Sequence, residues 1–93
     1  MIVEVRNCME DLVFEVLDEV IERNKDMCKC PKCRADIAAI ALNFLPSRYI
    51  ATARGEMYSK IKTLEQQFAI DIITAITYAC QIVGKNPHHG QGE

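Results

Sequence analysis

No histidine occurs before position 88, so the body of the chain offers no imidazole for acid–base or nucleophilic work. There is no G-x-S-x-G elbow and no glycine loop of the kind that cradles phosphate. The chain therefore reads as a non-enzyme. No uninterrupted apolar run approaches the roughly 18 residues that span a bilayer. The opening MIVEVRNCMEDLVFEVL has acids where a secretory leader has bases, and no small-residue cleavage site follows. A soluble, cytoplasmic protein is the expectation. Internal repeats, low-complexity runs and linkers are all missing, so residues 1–93 read as a single domain with a tail from about 85. A domain this small buries only about 60–65% of its unfolded surface. It needs a staple: a disulfide, a metal or a second subunit.

Five cysteines are present, an odd number that precludes complete internal pairing. In a reducing compartment, clustered cysteines point to metal or redox chemistry instead. Charge is sorted along the chain. Residues 1–22 hold seven acids and one base, and residues 23–62 hold nine bases and three acids. The basic middle fits either an anionic partner or docking against the acidic first segment. Nucleic-acid domains commonly exceed a pI of about 9; the value here is 5.7, so nucleic-acid binding is not expected.

The periodicity predicts an all-α fold of three helices with a short irregular segment. The first spans 8–23, with Met9, Leu12, Val13, Val16, Leu17, Val20 and Ile21 on its apolar face. Asn7 is its N-cap, and Glu10 stands at the position that closes a capping box. The second runs from about Lys32 to Phe44, with Ile37, Ile40, Ala41, Phe44 and Leu45 on one face, and Pro46 stops it. Residues 46–56 read as irregular or briefly extended. The third runs from about Glu56 to Val83. It has two apolar stripes: Met57, Ile61, Leu64, Phe68, Ile72, Ala75, Ala79 and Ile82; and Ala69, Ile73, Ile76, Cys80 and Val83. Two stripes exceed what one small neighbour covers, which predicts a homodimer through this long C-terminal helix.

The segment DMCKCPKCRADI carries the chemistry. Cys30-Pro31-Lys32-Cys33 is a C-x-x-C knuckle, and Cys28 adds a third soft ligand from the same loop. Thiolate-rich tetrahedral sites favour zinc, here one structural ion per chain. Lys29, Lys32 and Arg34 can offset the thiolate charge. Cys80 is the expected fourth ligand, because it reaches the knuckle if the third helix packs antiparallel to the second. Cys8, His88 and His89 are the alternatives, although Cys8 sits about 24 Å away along a straight first helix. A redox role for the C-x-x-C pair is the competing reading, weakened by the third close cysteine and the lack of a βαβ pattern. Four protein ligands would leave zinc no open position for water.

Several blocks carry a family resemblance: Asn7 with Met9-Glu10 and Val13, then CKCPKCRADIAAIALNFLPSRY, then Thr52 with Gly55, then NPHH. On these the chain resembles the late competence development protein ComFB family over nearly its whole length. Ser47 stands where the family usually has a second proline. The resemblance implies a small all-α, dimeric, cytoplasmic zinc protein with no known enzymatic activity, in the setting of competence and DNA uptake. It implies cysteine ligation, which falls on Cys28, Cys30 and Cys33. Cyanobacterial relatives, often without the cysteines, look like receptors for cyclic dinucleotides such as c-di-AMP or c-di-GMP. Here Arg48, Tyr49, Thr52 and Arg54 could hold such a ligand, by a guanidinium fork on phosphate and a ring stacked on a base. The plainer reading has Tyr49 pinning the irregular segment and Arg48 pairing with the acidic first helix. The leading expectation is a non-catalytic adaptor or regulator with an unidentified protein partner. A cyclic-dinucleotide receptor and a zinc-module DNA binder are the alternatives.

Overall fold

The computed structural model describes residues 3–24 and 27–85, without the side chains of residues 54 and 55. His88 and His89 lie outside the described residues, as does the side chain of Arg54. The elements in chain order are strand β1 (Val3–Asn7), helix α1 (Cys8–Arg23), helix α2 (Pro31–Phe44), strand β2 (Tyr49–Ala53) and helix α3 (Arg54–Lys85). The three helices agree with the sequence reading. The fold is mostly helical, as expected, and the structure adds a short two-stranded antiparallel sheet that pairs Val3 with Ala53, Val5 with Ala51 and Asn7 with Tyr49.

Asn7 caps α1 as expected, its Oδ1 accepting the Met9 N–H at 3.2 Å. The same oxygen accepts the Arg48 N–H at 2.8 Å, so the cap is completed by a residue far along the chain. Pro31 occupies the first turn of α2, where its missing N–H costs nothing. At the start of α3, Glu56 Oε1 accepts from the Ala53 N–H at 3.4 Å and the Thr52 hydroxyl at 2.9 Å. That carboxylate does the capping work there.

The core is built from Leu12, Leu17 and Ile21 of α1, Ile37, Ala38 and Ala41 of α2, and Ile72, Ile76, Ala79 and Val83 of α3. Each fully buried aliphatic side chain contributes about 1.5–3 kcal/mol. The small alanines of α2 let the helix backbones approach closely. The C-terminal half of α3 packs against both other helices and runs antiparallel to α2. Phe44 at the end of α2 meets Tyr78 edge-on, centroids 4.9 Å apart, while Gly84 faces Met27 just ahead of α2.

One expectation changes here. The periodicity places Phe44 on the buried face of α2, but the residue is 57% exposed. The structure also shows a bend in the third helix at Phe68, which has φ −111° and ψ 15°. Over Glu56–Lys85, α3 is long and apolar enough to cross a membrane by length and composition. Its buried residues, however, are the ones that close the core with α1 and α2.

Candidate metal centre

The knuckle grows out of the way α2 begins. Cys30 is the N-cap of α2, and its Sγ accepts the Cys33 N–H at 3.4 Å. Its carbonyl accepts the Arg34 N–H at 2.9 Å. Cys33 then lies buried in the first helical turn, while Cys28 approaches from the preceding loop. The three sulfurs lie within 4.8 Å of one another. Tetrahedral zinc with Zn–S near 2.3 Å sets neighbouring sulfurs roughly 3.8 Å apart, so the cluster is close to ligating distance. The donor set, three soft sulfurs and no carboxylate, suits zinc.

The thiols are not equivalent. The Cys33 N–H, with help from the Cys28 thiol, draws the Cys30 thiol below its ordinary pKa. Burial pushes Cys33 up to about 12, helped by its hydrogen bond with Cys30. One sulfur thus gives up its proton more readily than an ordinary thiol, whereas another keeps its proton until a cation compensates the loss.

Cys80 lies in the hydrophobic core, its thiol raised by burial, and is not among the three grouped sulfurs. Cys8 is placed at the other end of α1, where its thiol donates to the Arg48 carbonyl at 3.1 Å. Burial raises its pKa as well.

The bases around the knuckle all meet acids of the same chain. Lys29 reaches Glu22 at 3.5 Å, Lys32 reaches Asp36 at 3.1 Å, and Arg34 reaches Asp18 at 2.8 Å. Arg34 also lies over the Phe14 ring, 5.4 Å from its centroid. Farther off, Lys62 meets Glu15. Lys29, Arg34 and Lys62 thus meet acids of the first helix, while Lys32 meets an acid of its own helix.

A model of the late competence development protein ComFB family matches residues 6–87. The chain belongs to the ComFB family. The solved structure of the late competence protein ComFB from Bacillus subtilis matches with a TM-score of 0.73 at 22% identity, covering 90% of this chain and 92% of that one. That second likeness is one of fold. A search of curated proteins gave no match. The ComFB family is a late competence family and not a known enzyme family.

The residues of this ComFB-family chain expected to hold a nucleotide scatter around β2. Arg48 does not pair with the acids of α1; its guanidinium stacks on Phe68, 4.7 Å from the ring centroid. Thr52 is buried with its hydroxyl given to Glu56. Tyr49 is exposed and lines a shallow cavity of about 290 Å³ with Val5, Arg6, Asn7 and Glu10. It does not pin the segment; the Arg48 backbone does, by accepting the Cys8 N–H at 2.8 Å and donating to Asn7. Periodicity and motif spacing give no sign of those long-range bonds. The alternation Val-Glu-Val-Arg before Asn7 is the available signal for β1.

Proposed function

We propose that this ComFB-family chain is a non-catalytic, cytoplasmic, dimeric zinc protein acting as an adaptor or regulator in competence. The observation that carries the reading is the three-sulfur cluster at the start of α2. Cys28, Cys30 and Cys33 hold one structural zinc, and Cys80 supplies the fourth sulfur. Support for Cys80 comes from the antiparallel packing: Gly84, one turn beyond it on α3, faces Met27 next to Cys28. Zinc there fixes the loop to α2 and closes its coordination shell, which leaves no position for a reacting water. The exposed Ile70, Ile73 and Tyr78 support a partner-covered α3, the surface to which the sequence directs the dimer contact.

Elemental analysis with light scattering tests the reading on wild type and Cys80→Ser. One zinc per chain, a dimer mass and weaker zinc retention in the variant are expected. A metal-free, fully folded wild type would overturn it.

A further inference from the structure

Metal ligation asks only that sulfurs converge. The Cys30–Cys33 pair also differs in access. Cys30 stands in extended backbone at the N-cap of α2, with φ −68° and ψ 159°, and its thiol is half-exposed. Its Sγ is turned over the first turn, where it accepts the Cys33 N–H at 3.4 Å. Cys33 is buried within that turn. Both sulfurs belong to the group that lies within 4.8 Å. An accessible sulfur at a helix start can meet an oxidant, and a covered sulfur three residues later can resolve the product.

The remaining thiols are placed differently. Cys28 is half-exposed and close by, but a single residue separates it from Cys30. So short a bridge strains the torsions that a disulfide prefers. Cys8 is buried at the other end of α1, with its thiol bonded to the Arg48 carbonyl. Cys80 is buried in the hydrophobic core. Pro31, inside the pair, stiffens the turn that carries both sulfurs.

We propose that Cys30 and Cys33 are a modification site for a hydroperoxide, closing to an intramolecular disulfide that expels the proposed zinc. The Cys30 thiolate attacks one oxygen of hydrogen peroxide. An S–O bond forms, the O–O bond breaks, and the leaving hydroxide takes a proton to become water. Cys33 then attacks the Cys30 sulfur as thiolate. The S–S bond forms, the S–O bond breaks, and a second hydroxide is protonated to water. The pair loses two electrons, and one peroxide is reduced to two waters. Both sulfurs thereby lose the charge that ligates a metal, and Cys28 with Cys80 cannot fill a tetrahedral shell. A dithiol reductant reverses the closure. Disulfides of reducing compartments are of this transient kind. Expulsion of the ion rests on the zinc reading above, whereas the disulfide rests on the positions of the sulfurs alone.

Stepwise addition of hydrogen peroxide to the zinc-loaded full chain tests it. A metallochromic dye follows zinc release, alkylation with peptide mass spectrometry maps the bridge, and circular dichroism is the folding control. Expected are one zinc released per chain, loss of two hydrogens from its mass, a bridge between Cys30 and Cys33, and renewed zinc binding after dithiothreitol. Cys28→Ser and Cys33→Ser each remove one proposed ligand, so they separate pairing from ligation. The first still closes Cys30–Cys33. The second loses disulfide formation and halts at a Cys30 sulfenic acid that dimedone traps. A wild-type bridge from Cys28, a bridge between chains, or thiols and zinc that survive peroxide overturn the proposal. Equal disulfide formation in the two variants also overturns it. A wild type that carries no zinc yet closes Cys30–Cys33 removes the zinc reading and keeps the modification site.

Discussion

The two ends of α1 solve the same problem by different means. At the Asn7 end, a distant segment is tied to the helix by atoms of the chain alone. Asn7 Oδ1 accepts from Met9 and Arg48, and the Arg48 carbonyl accepts from both the N–H and the thiol of Cys8. At the Arg23 end, the chain continues into a loop whose organising groups are three sulfurs and peripheral ion pairs. The first end is complete as it stands. The second gathers soft donors, one of them tuned toward thiolate. A cysteine buried with a hydrogen-bond acceptor is a structural residue, whereas cysteines brought sulfur to sulfur at a helix start could hold a metal ion.

The largest test of that contrast is removal of the proposed zinc. Chelation is expected to cost several kcal/mol of apparent stability. Hydrogen exchange, followed by mass spectrometry, should rise first in residues 27–36 and last around Asn7 and Arg48. Equal loss at both ends would erase the distinction. Asn7→Ala comes next. It removes the cap and leaves the Arg48 N–H without its acceptor, for about 1–2 kcal/mol in chemical denaturation, with zinc content unchanged. Smallest is Asp18→Asn. The Asp18 carboxyl is held below its ordinary range by the Arg34 hydrogen bond. Its stabilising share is present above the unfolded pKa of about 3.9 and is lost as pH falls through the lower folded value. Asp18 is largely solvated and Arg34 partly so, and the substitution should cost under about 1 kcal/mol at neutral pH. Wild type and variant should converge in acid denaturation curves.

What the sequence disclosed divides along the same line, local against distant. The boundaries of α1, its Asn7 cap, the end of α2 ahead of Pro46 and the C-x-C-x-x-C cluster are all written within a few residues, and all appear in the structure. The sheet does not announce itself, because its strands are five residues each, separated by two helices, and its apolar side faces outward. The Phe68 bend lacks the proline or glycine that normally signals one. Arg48 attracts notice in the sequence for its charge, yet its backbone holds the fold together and its guanidinium lies on a ring. The three local sulfurs of the centre are legible for the same reason that the place of Cys80 is not: it depends on how α3 lies across α2.

Beginning a helix is its slow, unfavourable event, since several torsions must be fixed before the first bond repays them. In α2 that event is governed by the Cys30 sulfur, which accepts the N–H of Cys33. An ion held by this sulfur would act on the nucleus of a fourteen-residue rod, so that metal supply would be felt at Phe44, some 20 Å along the axis, and not only in the loop that binds it.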